Sequence, residues 1–198
     1  FVNIVCMNWG TKFSHEDVNK LYNLVARNIT QPFRFVCLTD NTDQINSNVE
    51  CLPLPEIQVP VDKDVSPWRK LGMFSEKIGD LKGKTLFLDL DLIIMNNIDC
   101  FFLYSDNFAI IENWTQRGRG IGNSAVYCFE LGKYNYVLDH YHNNIEQVTS
   151  EFSNEQVFLS SMIKEKVYWP NEWCVSFKRH LLPPYFVRYF KTPELPPK

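Results

Sequence analysis

The stretch Thr85-Leu-Phe-Leu-Asp-Leu-Asp-Leu-Ile-Ile-Met95 is the longest apolar run of the chain, and two aspartates, Asp89 and Asp91, interrupt it. Its large and β-branched side chains predict a buried central strand. An aspartate inside such a strand is costly unless it has a partner. Residues i and i+2 of a strand point to the same side, so the two carboxylates can converge on one point. Where the strand leaves the sheet, they would lie at its carboxyl edge, the ligand-binding edge of open α/β sheets.

Two carboxylates at such an edge suit Mg²⁺ or Mn²⁺, which take oxygen ligands and commonly hold substrate phosphates as well. The spacing Asp-x-Asp is short, and a simpler interpretation stays open. One aspartate would then cap a turn at the strand end, and the other would be solvated.

The first 40 residues predict a strand, a helix and a second strand. Residues 2–7 form a short apolar run, Ser14 and Asp17 are typical of a helix N-terminus, and residues 33–39 form another apolar run. The apolar positions of the helix recur at i, i+3, i+4 and i+7, namely Val18, Leu21, Tyr22 and Val25. This order predicts the βαβ opening of a parallel sheet.

The rest of the chain alternates between predicted strands and predicted helices. Strands are predicted at residues 49–52, 108–112, 125–130 and 167–169, and helices at residues 68–78, 134–145 and 154–163. A glycine-rich loop, Arg117-Gly-Arg-Gly-Ile-Gly122, separates two of the strands. The pattern predicts an α/β fold, and residues 1–198 show no linker, so one domain is expected.

Composition narrows the function classes. The chain has 198 residues with 20 Lys plus Arg and 23 Asp plus Glu, a net charge of -3, which disfavours nucleic acid as a partner. No apolar run is long enough to span a bilayer, and no signal peptide is evident. Six cysteines are widely spaced, and we interpret them as reduced thiols of a cytoplasmic protein.

Four blocks of sequence, in the expected order, resemble the GT-A glycosyltransferases, closest to the family 8 group of glycogenin and lipopolysaccharide galactosyltransferases. Residues 87–102 resemble the Leu-Asp-x-Asp segment of that group. The other blocks are Trp68-Arg-Lys70-Leu-Gly-Met-Phe74, Asn123-Ser-Ala-Val-Tyr127 and Asn154-Glu-Gln156-Val-Phe-Leu159. The resemblance implies a GT-A fold, a Rossmann-like and mostly parallel central sheet flanked by helices.

The resemblance also implies a hexosyltransferase reaction. A sugar would move from a UDP- or GDP-sugar to a carbohydrate, lipid or protein acceptor with retention of configuration, assisted by Mn²⁺ or Mg²⁺. Asp89 would contact the donor through its ribose or through the metal, and Asp91 would be the firmer metal ligand. Lys70 would bind the phosphates or the sugar of the donor.

The remaining blocks supply further roles implied by the resemblance. Thr39 and Asp40 would lie near the nucleotide base. Asn123 and Ser124 would face the transferred sugar or the acceptor. Beside the reacting carbon, the resemblance places Glu155 and Gln156, with Glu155 standing where family members carry Asp.

The chain departs most from the family at the third metal ligand, a histidine in a C-terminal block that this sequence lacks. His180 is the one candidate substitute, and the Pro-rich tail, residues 193–198, would approach a missing last strand. Two alternatives stay open. One is a phosphohydrolase of the haloacid dehalogenase type with Asp89 as nucleophile, and the other is a nucleotide-sugar-binding module without turnover.

Overall fold

The computed structural model describes residues 1–59 and 67–193, in which the strands form a single sheet. The strands are β1 (Val2–Asn8), β2 (Phe33–Thr39), β3 (Glu50–Leu52), β4 (Lys84–Leu88), β5 (Ala109–Glu112), β6 (Gly122–Glu130) and β7 (Val167–Tyr168). Their order across the sheet is β3-β2-β1-β4-β6-β5-β7. Every strand pairing is parallel except those of β6, which runs opposite to both β4 and β5. The prediction of a mostly parallel α/β sheet is therefore confirmed.

Helices cover both faces of the sheet. They are α1 (His15–Asn28), α2 (Cys100–Leu103), α3 (Asn135–Asn143), α4 (Ile145–Glu151) and α5 (Glu155–Met162). Shorter turns are the 3₁₀-helices Pro67–Phe74, Asn171–Trp173 and Tyr185–Val187 and the π-helical turn Phe177–Leu181. In the part of the chain that the structure describes, no helix has the length and apolar character needed to cross a membrane.

The predicted βαβ opening is confirmed, and its local chemistry explains it. Ser14 caps α1: its Oγ accepts the Glu16 N–H at 3.2 Å, and Asp17 Oδ2 accepts the Ser14 N–H at 2.9 Å. The apolar stripe of α1 is buried against the sheet, and β1 and β2 pair in parallel from Val2↔Phe33 to Asn8↔Thr39. Both strands therefore end at the same carboxyl edge.

The strand predicted for residues 85–95 is shorter than expected. β4 ends at Leu88, the Asp89 N–H makes one more bond to the Ala125 carbonyl at 2.9 Å, and the chain turns at Leu90 and Asp91. Ile93 beyond the turn is exposed. Carboxylates are costly inside a sheet that is buried on both faces, so the apolar run leaves the sheet where they begin.

Two helix predictions need correction, and two helices were missed. The helix predicted for residues 68–78 is the 3₁₀-helix Pro67–Phe74, the one for residues 134–145 ends at Asn143, and α2 and α4 were not predicted. The expected tail at residues 193–198 lies, apart from residue 193, outside the described residues. All six cysteines are free, and Cys6, Cys37 and Cys128 are buried.

Candidate active site

The strand order predicts a crevice between the carboxyl ends of β1 and β4. From β1 the chain moves outward through β2 to β3, whereas β4 lies on the other side of β1, so the strand order reverses between β1 and β4. Helical connections leave in opposite directions at such a switch point and open a ligand site. Asn8 closes β1, and Asp89 follows β4, so both residues lie at this crevice.

Lys70 and Asp89 meet there as an ion pair. Lys70 belongs to the 3₁₀-helix Pro67–Phe74, and its Nζ lies 2.7 Å from Asp89 Oδ2 and 5.7 Å from the centroid of the Phe87 ring. The side chains are largely buried, at 12% and 23% exposure. The sequence predicted both residues as part of one site, and the structure brings them into contact.

Burial opposes the ionisation of Asp89. It raises the pKa of this carboxyl group to about 6, against the opposing effect of the Lys70 ammonium. The negative charges of Asp91 and Glu155 contribute further to this rise of the pKa. The three carboxylates are thus close enough to influence one another electrostatically, whereas the convergence of Asp89 and Asp91 on one point stays a prediction. Asp91 itself is exposed.

Glu155 is the most deeply buried of these three acids, with 4% exposure. Its Oε1 accepts the Ser124 hydroxyl at 2.6 Å, so β6 and α5 meet at this pair. Asn154 is the N-cap of α5, and its Oδ1 accepts the Val157 N–H at 3.1 Å, which makes Glu155 the first residue of the helix. An acid at a helix N-terminus is favoured by the helix dipole.

The other predicted site residues lie at the same edge with fewer contacts. Thr39 is buried at the end of β2, where its hydroxyl closes a turn with Asn41, and Asp40 is exposed beside it. Asn123 Oδ1 accepts the Ala125 N–H at 3.0 Å. Gln156 is half-buried on α5, next to Glu155.

Asp89 and Asp91 are the carboxylates at this edge that could hold a cation. Within residues 1–59 and 67–193, no group of three or more His, Cys, Asp and Glu side chains is arranged to hold a metal. His180 contacts Trp114 and accepts the Ser176 N–H, so the predicted set of Asp89, Asp91 and His180 is not assembled there. Mg²⁺ often uses only one or two carboxylates together with substrate phosphates and water. Asp89 already holds one cation, the Lys70 ammonium, which fits such a site.

Two residues of the crevice escaped the sequence analysis. Tyr127 is 1% exposed and stacks on Phe87 at 4.8 Å, and its hydroxyl makes no hydrogen bond within the described part of the chain. Burial raises the pKa of Tyr127, as do the charges of Asp89 and Glu155. Asn8 is buried too, and its Oδ1 makes no hydrogen bond among the described residues. A polar residue closing a buried strand was the available signal for Asn8.

Solved structures share this architecture. The glycosyltransferase GlyE of Streptococcus pneumoniae TIGR4 superposes with a TM-score of 0.63 over 87% of this chain at 13% identity. The galactosyltransferase LgtC, solved with donor and acceptor sugar analogs, gives a TM-score of 0.60 over 86% of this chain at 16% identity. The chain spans 46% of the GlyE chain and 74% of the LgtC chain. No protein-family profile and no curated protein sequence matches it. The likeness confirms the predicted GT-A fold.

Proposed function

We propose that this chain is a glycosyltransferase domain, comprising residues 1–198, that moves a sugar from a nucleotide-diphosphate donor to an acceptor. The observation that carries the proposal is the cluster of Lys70, Asp89 and Glu155 at the switch point. These groups are largely buried and charged, and they lie on a fold shared with two glycosyltransferases. Buried charges at a ligand-binding edge are costly for folding and typical of a site that binds a charged substrate.

The donor's diphosphate would be bound by charge. Asp89 and Asp91 would hold a divalent cation, Mn²⁺ or Mg²⁺, which when bound supplies positive charge toward the leaving diphosphate. Lys70 would exchange its ion pair with Asp89 for a contact with a phosphate oxygen. The leaving group gains negative charge as the glycosidic bond breaks, so an ammonium there favours the transition state over the ground state.

The sugar would lie between β6 and α5. The Ser124 hydroxyl holds Glu155 Oε1 at 2.6 Å, which fixes the carboxylate in one orientation. We propose that Glu155 and Gln156 face the reacting carbon, where a carboxylate stabilises developing positive charge on the sugar. Asn123 would contact the sugar or the acceptor, and a retaining outcome is proposed from the family resemblance.

The nucleotide base would lie over the ends of β1 and β2. Thr39 and Asp40 were proposed for this role from the sequence, and Asn8 pairs with Thr39 across the two strands. The free Oδ1 acceptor of Asn8 adds a group suited to a base or ribose donor. UDP and GDP are the nucleotides to be tested first.

The phosphohydrolase alternative loses its support, because the fold is that of glycosyltransferases. The binding module without turnover has one observation in its favour: the described residues supply two carboxylate ligands and no third. A protein of that kind would bind the sugar nucleotide without releasing UDP or GDP from it.

Turnover distinguishes these functions. Release of UDP or GDP from a panel of sugar nucleotides, with Mn²⁺ or Mg²⁺ and a mixture of acceptors, should be detectable for the wild type. Asp91→Asn should lower it at least 100-fold, whereas Asp139→Asn, an exposed acid on α3, should leave it unchanged. Nucleotide binding without release would favour the binding module. Hydrolysis of p-nitrophenyl phosphate that depends on Asp89, with no release from sugar nucleotides, would contradict the proposal.

A cytoplasmic location is also proposed. It is supported by the free thiols of the six cysteines, three of them buried in the core. Such thiols are typical of proteins in a reducing compartment. Cell fractionation of the tagged native protein tests it, and recovery with secreted material would contradict it.

A further inference from the structure

Five basic side chains at the carboxyl edge have no role in the proposed donor site. They are Arg117 and Arg119 of the loop between β5 and β6, and Lys178, Arg179 and His180 of the π-helical turn. We call these five residues the basic rim. All are exposed, and none forms an ion pair within the part of the chain that the structure describes.

Trp114 joins the two halves of the basic rim. Its Nε1 donates to the Cys174 carbonyl at 3.2 Å, and its ring meets the His180 ring edge to face, with centroids 5.8 Å apart and an interplanar angle of 82°. His180 Nδ1 accepts the Ser176 N–H at 2.8 Å, so in the neutral ring the proton is on Nε2. Trp114 is thus in contact with Cys174 and His180, which are distant from it in sequence.

The basic rim stands out against an acidic chain. Residues 113–121 and 173–193 contain six of the 20 Lys and Arg residues and none of the 23 Asp and Glu residues. The nearest acid in sequence is Glu112, whose Oε1 accepts the Gly118 N–H at 2.7 Å and so closes the loop. Gly118 and Gly120 have φ values of 73° and 72° with open space around them, so an anion can approach the loop backbone closely.

The basic rim adjoins the proposed sugar site through β6. β5 runs in the same direction as β4, so its end at Glu112 lies at the edge that carries Asp89. The loop returns directly into Gly122, Asn123 and Ser124, and Ser124 holds Glu155. An anion on the basic rim would therefore lie next to the sugar site, on the β5–β6 side of the proposed donor cation.

We propose that the basic rim binds a phosphate group carried by the sugar acceptor, so that the acceptor is a phosphorylated sugar. This inference rests on the proposed glycosyltransferase function and specifies its acceptor class. Two arginines on a glycine-rich loop suit the oxygen atoms of a phosphate, because a guanidinium donates two parallel hydrogen bonds. The donor's own diphosphate is assigned elsewhere, to Lys70 and the two aspartates. Four cations and one histidine on an acidic protein are too few for a nucleic acid footprint.

The test compares glucose 6-phosphate with glucose by calorimetric titration, with no nucleotide present. Wild type should bind glucose 6-phosphate at least tenfold more tightly than glucose. The double variants Arg117→Ala/Arg119→Ala and Lys178→Ala/Arg179→Ala should each lower that affinity about tenfold, because each removes charge-assisted bonds to the phosphate. The matched control Lys20→Ala/Arg27→Ala, which removes two exposed cations of α1, should change it less than twofold.

Three results would overturn the proposal. Wild type could bind the two sugars equally, the control could weaken binding as much as the double variants, or Lys70→Gln could abolish binding, which would place the phosphate in the donor site. Sedimentation with phosphatidylglycerol vesicles that is lost in the double variants, without a preference for glucose 6-phosphate, would assign the basic rim to a membrane surface instead. Because no nucleotide is used, the binding of glucose 6-phosphate can be interpreted even if the proposed donor site is wrong.

Discussion

Buried polar side chains at the amino and carboxyl ends of the same strands differ in whether the chain hydrogen-bonds them. On β1, Asn3 at the amino end and Asn8 at the carboxyl end are both buried, at 2% and 8% exposure. Asn3 Nδ2 donates to the Lys82 carbonyl at 2.8 Å and to Thr85 Oγ1 at 3.2 Å. Asn8 Oδ1, in contrast, makes no hydrogen bond in the described part of the chain.

The strand β4 repeats the contrast. At its start, Lys84 Nζ donates to the carbonyls of Phe102 and Ser105 at 2.8 and 3.0 Å and pairs with Asp106 at 2.8 Å. Just past its end, Asp89 has a raised pKa despite its contact with Lys70.

Polar groups at the amino edge are satisfied by the chain itself, so they stabilise the fold. At the carboxyl edge, Asn8 Oδ1 and the Tyr127 hydroxyl have no hydrogen-bond partner among the described residues, which costs stability unless a ligand supplies one. The comparison predicts that substitutions at the amino edge change stability, and that those at the carboxyl edge change binding and turnover.

The largest effect is expected for Glu155→Gln. The amide oxygen can still accept the Ser124 hydroxyl, while the charge facing the sugar is lost. Turnover of the donor should fall at least 100-fold, measured as nucleoside diphosphate release. The free energy of unfolding should not fall, because a neutral amide is cheaper to bury than a carboxylate. Equal turnover in the variant would remove Glu155 from the site.

The opposite result is expected for Asn3→Ala at the amino edge. It removes both hydrogen bonds of a buried amide and leaves the Lys82 carbonyl without that donor, so the free energy of unfolding should fall by about 2 kcal/mol. Asn8→Ala should cost no more than about 1 kcal/mol. Urea unfolding measures both. Donor turnover per folded molecule should stay unchanged in Asn3→Ala, and a loss there would break the contrast between the edges.

The pH dependence of the free energy of unfolding should reveal the raised pKa of Asp89. Its pKa is about 6 in the folded protein against 3.8 for an ordinary aspartate, so the folded state binds the proton more tightly. Between these two values the Asp89 contribution to stability falls as pH rises, because the unfolded state ionises first. From pH 4 to pH 6.5 the free energy of unfolding of the wild type should thus fall by about 1 kcal/mol relative to that of Asp89→Asn. This figure is reduced because the Asp89 side chain is partly exposed.

The quantity to measure is the difference in the free energy of unfolding between wild type and Asp89→Asn at each pH. Acids with lowered pKa values, such as Asp80 beside Arg34, change stability with pH in the opposite direction, but they do so equally in both proteins and cancel in the difference. Asp139→Asn is the control, and its pH profile should follow that of the wild type. A constant difference between wild type and Asp89→Asn across this range would contradict the raised pKa.

The smallest effect is expected for Tyr127→Phe. The ring keeps its stacking on Phe87, and only a hydroxyl without a partner among the described residues is removed. The free energy of unfolding should stay the same or rise by about 0.5 kcal/mol. Thermal unfolding of the two proteins is the check. A clear loss of stability would mean that the hydroxyl is hydrogen-bonded in solution.

Local signals in the sequence predicted most of the fold. The capping residue Ser14, the apolar period of α1 and the two apolar runs of β1 and β2 all act within a few residues, and the structure confirms each. The two aspartates in an apolar run are also a local signal, and they indicated the carboxyl edge of a strand. Helix α2, only four residues long, has too few positions for a period to be recognised.

What the sequence did not predict depends on pairing between distant segments. β4 pairs with β6 only as far as Leu88 and Val126, and one further bond joins the Asp89 N–H to the Ala125 carbonyl. Tyr127 lies in a predicted strand, and only its pairing opposite Phe87 buries its hydroxyl where the charges of Asp89 and Glu155 raise its pKa. His180 was predicted near the aspartates, yet its contacts are with Trp114 and Ser176.

The most direct test of the central claim is a thermal-shift panel of UDP-, GDP-, CMP- and dTDP-sugars with and without Mn²⁺. It would be run on the wild type, Asp91→Asn and Asn3→Ala, because a ligand that binds the folded state raises its melting temperature. The predicted result is a rise in melting temperature with one nucleotide that requires the metal and is lost in Asp91→Asn. The rise should persist in Asn3→Ala, whose melting temperature without ligand is lower. An undiminished shift in Asp91→Asn, or no shift for any nucleotide with the wild type, would contradict the assignment of the carboxyl edge to donor binding.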